Sequence, residues 1–161
     1  ARRDCVTLRR AQGERGCWHP PLATTHGYRD RMARVIVDAM NVIGSRPDGW
    51  WRDREGAAMR LVGRLQRLVV ATGDEVAAVL DGRPSASLPG GLHDGVAVFY
   101  ADRSGRDAAD NRIVRLVEED DDPASLLVIT SDRELRQRVE LLGASCEGAR
   151  SLLELLDALD G

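Results

Sequence analysis

The chain has 161 residues, 43% of them hydrophobic but only 4% aromatic, which suits one aliphatic-cored domain plus a tail. All 23 basic residues are arginine, and the absence of lysine excludes a P-loop and Schiff-base catalysis, both of which need its amine. The net charge of −3 is not that of a nonspecific nucleic-acid binder.

Residues 1–32 carry seven arginines against three acids, without apolar periodicity, and Pro20-Pro21 breaks any helix. This stretch reads as a disordered tail, or as sequence upstream of the true start, since the chain begins at Ala1. Cys5, Cys17, His19 and His26 fall here, in a spacing that fits none of the usual zinc patterns. Three cysteines in all fit a reducing compartment better than a disulfide scaffold. No apolar run approaches the roughly 18 residues of a membrane span, and no secretory h-region is seen. The expectation is a soluble, cytoplasmic protein.

The domain is expected over 33–161. A first strand, Arg34–Asp38, leads into a loop with Pro47, Asp48 and Gly49, then Trp50 and Trp51. Apolar residues from Ala58 to Val69 recur at helical spacing and predict a helix over 54–71. A second strand, Val76–Leu80, precedes a Gly-, Pro- and Ser-rich loop over 84–95. A third strand, Val96–Ala101, is followed by a helix over 107–119. The acidic run Glu118–Asp122 reads as a solvated helix end closed by Pro123. A fourth strand, Leu126–Thr130, a helix to about Leu142, a short extended piece Ala144–Cys146 and a last helix complete the chain. Ser131 with Glu134, and Ser151 with Glu154, have the spacing of capping boxes.

Strands separated by helices predict an α/β fold with a mostly parallel sheet, whose ligands bind beyond the strands' carboxyl ends. Apolar runs here end in Asp38, Asp81, Asp102 and Asp132. Gathering such acids on one rim is costly unless a hard divalent cation shares them. Each acid also has a plainer explanation. Asp38 and Asn41 fit a cap, Asp81-Gly82 a turn, Asp107 and Asp110 a helix N-terminus, and Asp132 the start of a helix. Thr130 and Ser131 add oxygens at the last of these strand ends. Asp102 lies beside Arg103 and Arg106 and is left out of the metal-binding set. Arg83, Arg103, Arg106 and Arg133 adjoin the acids and suit phosphate contacts. Arg60, Arg64 and Arg67 share one helix face, where solvent exposure is the ordinary explanation. Trp50 and Trp51 suit base stacking or the cover of a core edge. His93 has no nucleophile arrangement near it in sequence.

Val-Asp-Ala-Met-Asn-Val-Ile-Gly (37–44), Val-Leu-Asp-Gly (79–82), Asp-Ala-Ala-Asp-Asn-Arg-Ile (107–113) and Val-Ile-Thr-Ser-Asp-Arg (128–133) follow in order. Together they resemble the NYN domain, a PIN-like nuclease fold, and within it the YacP-like group, over about 34–148. The resemblance implies a three-layer α/β/α nuclease that cleaves RNA with Mg²⁺ or Mn²⁺. It makes Asp38, Asp107, Asp110 and Asp132 the catalytic metal ligands, with Asn41, Asp81, Thr130 and Ser131 in support. Position 107 is often glutamate in the group and position 39 glycine; here they are Asp107 and Ala39. Two other functions stay open: a catalytically silent module that binds RNA or a ribosomal partner, and a haloacid-dehalogenase-like phosphatase. The phosphatase requires a second acid where this chain has Met40.

Overall fold

The structure, a computed structural model, describes residues 33–102 and 105–161. The zinc-type residues of the first 32 positions, the expected tail and Arg103 lie outside them. Among the described residues six strands form one sheet: β1 (Arg34–Asp38), β2 (Glu75–Leu80), β3 (Gly91–His93), β4 (Val96–Tyr100), β5 (Leu126–Ile129) and β6 (Ser145–Glu147), in the order β3-β4-β2-β1-β5-β6. All neighbours run parallel except β3 against β4. The helices are α1 (Ala39–Gly44), α2 (Arg54–Thr72), α3 (Ala108–Glu118), α4 (Arg133–Leu141) and α5 (Ala149–Asp160).

Strand alternation divides the core in two. Val35 and Val37 of β1 face α1, α2 and α5, with Leu61, Leu65, Leu68, Leu152 and Leu156. Ile36 faces α3 and α4, with Ile113, Val117, Leu135 and Val139. The result is the expected three-layer α/β/α sandwich. Because both faces of β1 and β2 are covered, their sequences are continuously apolar rather than alternating.

Local chemistry sets the helix ends. Asp53 accepts the Gly56 N–H at 2.9 Å to start α2. Gly73, at φ 75, stops it in the left-handed conformation that glycine adopts without steric cost. Four expectations need correction. The residues directly after Asp38 are not loop but the short helix α1, too brief to show periodicity. The 84–95 stretch is tied down: β3 pairs with β4, Tyr100 donates to the Leu88 carbonyl at 2.6 Å, and Leu88 is buried. Asp94 and Gly95, both at positive φ, form the two-residue turn of that hairpin. The acidic run is not wholly solvated, since the Asp120 carboxylate is buried against Arg34 at the start of β1. Finally, neither capping box forms. Asp132, not Ser131, caps α4, and α5 begins two residues before Ser151.

At the foot of the sheet, Arg34 is held by both Asp120 oxygens and donates to Ser125 Oγ at 2.8 Å. At the far end of α5, Asp157 and Asp160 pair with Arg46, Arg64 and Arg67. Arg60 pairs with Asp53. The helix-face arginines are therefore partnered by acids, and Arg64, Arg67 and Arg46 bind α5 to α2 and to the segment after α1.

Candidate active site

From β1 the chain turns to β2 on one side; from β5 it turns to β6 on the other. A crevice opens where neighbouring parallel strands diverge in this way, beyond the carboxyl ends of β1 and β5. Asp38 ends β1 and Thr130 follows β5. Thr130 Oγ1 donates to Asp38 Oδ2 at 2.9 Å, and both residues are buried. The Thr130 hydroxyl also accepts the Asp132 N–H at 3.1 Å. One hydroxyl thus positions two of the acids.

Asn41 and Ser131 join the same two loops. The Ser131 N–H donates to Asn41 Oδ1 at 2.8 Å, and Ser131 Oγ accepts the Ala149 N–H at 3.0 Å. Both side chains are occupied in holding backbone, so their place in the site is to fix the loops after β1 and β5 and the start of α5.

Three of the acids occupy helix N-cap positions. Asp38 accepts the Asn41 N–H at a long 3.4 Å at the head of α1, and Asp132 accepts the Leu135 N–H at 2.9 Å at the head of α4. Asp107 stands at the head of α3 but makes no capping bond with its side chain. Helix N-termini favour negative charge, which explains how the acids are kept close without arginines between them. Capping accounts for Asp132 and only weakly for Asp38.

Asp110 is the electrostatic hub. Its pKa is raised first by burial and then by Asp132, Asp107 and Asp81, with Arg138 opposing. Asp38 is pushed up to about 6, mainly by burial and further by Asp110 and Asp81, while its bonds from Thr130 and Asn41 hold it down. Burial also raises Asp81, against the Ala109 N–H in the first turn of α3 and Arg54. These mutual effects put the acids of four chain segments within one another's field.

Among the described residues, none of Asp38, Asp81, Asp107, Asp110 and Asp132 has an ion-pair partner. Asp102 does: it pairs with Arg115 and, at 3.7 Å, with Arg112, both on α3. Arg83, Arg106 and Arg133 are exposed and, among the described residues, make no ion pair. Among the same residues no three His, Cys, Asp or Glu side chains are grouped so that together they could hold a metal ion. The donors present are hard carboxylate oxygens, which fit Mg²⁺ or Mn²⁺ in kind. Mg²⁺ commonly takes only one or two carboxylates and keeps several waters. Cys146 is no competitor for such a role, because burial and Glu140 raise its thiol to about 11.

The YacP-like NYN domain matches residues 35–160. The chain belongs to that family. Two crystal structures of Rae1 (YacP) from Bacillus subtilis are similar to this NYN domain. One, a point mutant, has a TM-score of 0.66 at 26% identity, covering 80% of this chain and 77% of its own. The other has a TM-score of 0.63 at 25% identity, covering 80% and 76%. No curated protein matches the chain. The fold is PIN-like, as the resemblance implied, and the NYN domain is a ribonuclease-like module of a nuclease-type family. Among the described residues no helix is long and apolar enough to cross a membrane.

Replacing Thr130 by valine keeps the shape and removes the hydroxyl shared by Asp38 and Asp132. The expected cost is about 2 kcal/mol in urea unfolding, because a hydrogen bond to a buried carboxylate is lost. The Asp38 carboxyl is expected to titrate still higher, readable from its side-chain NMR shift.

Proposed function

We propose that this NYN domain is a metal-dependent endoribonuclease of the cytoplasm, hydrolysing RNA phosphodiester bonds at the crevice beyond β1 and β5. One observation carries the reading: among the described residues, Asp38, Asp81, Asp107, Asp110 and Asp132 share this end of the sheet without an ion-pair partner, while Asp102, beyond the end of β4, is matched to arginines. Uncompensated acids at a crevice suit a cation, and a polyanionic substrate could not approach them without one.

Asp38, Asp107, Asp110 and Asp132 would hold Mg²⁺ or Mn²⁺. When bound, such a cation supplies Lewis-acid polarisation of the phosphodiester and lowers the pKa of water. The protein's own contribution is positional. Thr130 orients Asp38 and the start of α4, Asn41 and Ser131 lock the loops, and Asp81 adds negative charge beside the first turn of α3. Arg83, Arg103, Arg106 and Arg133 suit contacts to phosphate oxygens flanking the scissile bond.

A second reading, a catalytically silent module that binds RNA or the ribosome, draws on the absence of three converging ligands among the described residues. Incubating the purified chain with structured RNA, in Mn²⁺ or in EDTA, separates the two. Cation-dependent cleavage that disappears in Asp110→Asn is the expected result. Binding without cleavage in Mg²⁺ or Mn²⁺ would establish the silent module instead.

A further inference from the structure

The 3₁₀ turn Trp50–Arg52 sits between α1 and α2 and holds two tryptophans in different surroundings. Trp50 packs against the core, and its ring lies close to Gly44, where a methyl group would meet it at 3.8 Å. Arg54 lies over the Trp50 ring, 5.4 Å from its centroid. The Trp50 N–H donates to Asp48 Oδ1 at 3.1 Å. Trp51 meets Trp50 edge-on, with centroids 6.2 Å apart and planes at 83°. Yet Trp51 does not join the core cluster and remains 54% exposed. Covering a core edge therefore accounts for Trp50 but not for Trp51.

The position of this turn follows from the chain path. α2 ends at Thr72, next to Glu75, which pairs in register with Arg34 at the amino end of β1. Eighteen residues earlier, about 27 Å along the helix, its start lies at the opposite edge, where Asp38 and Asp81 end their strands. Arg54, in the first position of α2, is exposed, makes no ion pair among the described residues, and acts on Asp81 electrostatically. A supported indole and an exposed guanidinium thus flank the acidic crevice.

We propose that Trp51 is a stacking surface for an unpaired base of the RNA, and that Arg54 contacts the adjoining backbone phosphate. The pair would select single-stranded RNA at the crevice, because a base inside a duplex has no free face to offer an indole. The ligand is inferred from the ribonuclease reading above, on which the proposal rests. An exposed tryptophan alone would suit a protein surface equally well. Here the neighbouring cation and the crevice that needs a polyanion favour nucleic acid.

The test measures binding in Ca²⁺, a hard cation that screens the carboxylates in place of Mg²⁺, by anisotropy of a fluorescein-labelled oligouridylate and of a blunt RNA duplex, for wild type, Trp51→Leu, Trp51→Phe and Arg54→Gln. Leucine keeps apolar bulk and removes the ring face; phenylalanine restores it. Trp51→Leu is expected to weaken oligouridylate binding about tenfold and leave duplex binding unchanged, with Trp51→Phe close to wild type. Arg54→Gln should weaken both RNAs and reduce the salt slope by about one. Equal oligouridylate binding by wild type and Trp51→Leu overturns the proposal and leaves the nuclease reading standing if Mn²⁺-dependent cleavage persists. Equal losses on both RNAs, or a loss that Trp51→Phe does not restore, also overturn it. Trp51-dependent binding without cleavage in any cation supports the proposal and removes the nuclease reading. No RNA binding by the wild type removes both.

Discussion

Asp38→Asn is expected to abolish RNA cleavage while making the metal-free protein more stable at neutral pH. The side chain is 5% exposed and titrates at about 6, against an ordinary 3.8, chiefly because burial penalises its charged form. Between those pH values the folded chain retains a proton that the unfolded chain has released. Unfolding free energy therefore falls as pH rises through this window, and the loss is complete above the folded value. The shift corresponds to roughly 3 kcal/mol. Asparagine carries no charge to desolvate and can still accept the Asn41 N–H. In EDTA, wild type should lose stability from pH 4 to 7 through this group, and Asp38→Asn should not. Cleavage should drop about a hundredfold or more, since the change removes one of the ligands proposed for the cation. A mutant that is less stable than wild type at pH 7.5 without metal would contradict the assignment of burial as the main cause.

The opposite end of the same strand gives the second large effect. Arg34→Met is expected to destabilise the domain by about 3–5 kcal/mol, because it strands the buried Asp120 carboxylate. Arg34 and Asp120 have side chains only 4% and 7% exposed, and Glu75 and Asp122 also lie in the field of the guanidinium. In thermal melts this amounts to a drop of about 10 °C or more. Arg34→Met combined with Asp120→Leu should recover much of the loss, since a buried pair replaced on both sides by apolar groups often costs little. RNA cleavage by the folded fraction should be unaffected. If the double variant is no better than the single one, the ion pair is not what Arg34 contributes.

The strands and the position of the acids could be read from the chain because both are local signals. An apolar run closing in Asp38 or Asp81 says where a parallel strand ends, and parallel topology puts those ends together. The hairpin of β3 and β4 was equally legible: Asp94-Gly95 is a strong turn signal, obscured by reading 84–95 as one loop. What could not be read depends on distant partners. Arg34 and Asp120 are 86 positions apart, and nothing near Asp120 sets it apart from the acids around it. Ser131 has an ideal local capping partner in Glu134, yet its hydroxyl serves Ala149, 18 positions on. Tertiary contact overrode local preference there. Trp50 and Trp51 are adjacent and chemically identical, so only packing separates the buried ring from the exposed one.

β1 is five residues long and joins two opposed charges: a matched one at Arg34 and one at Asp38 that has no ion-pair partner among the described residues. A genetic screen that rewards foldedness, such as a solubility reporter, would discard changes at the first and enrich changes at the second. On the proposed function, libraries of this domain chosen for robustness alone would drift towards inert proteins, and a selection for hardier variants would need RNA cleavage scored in the same round.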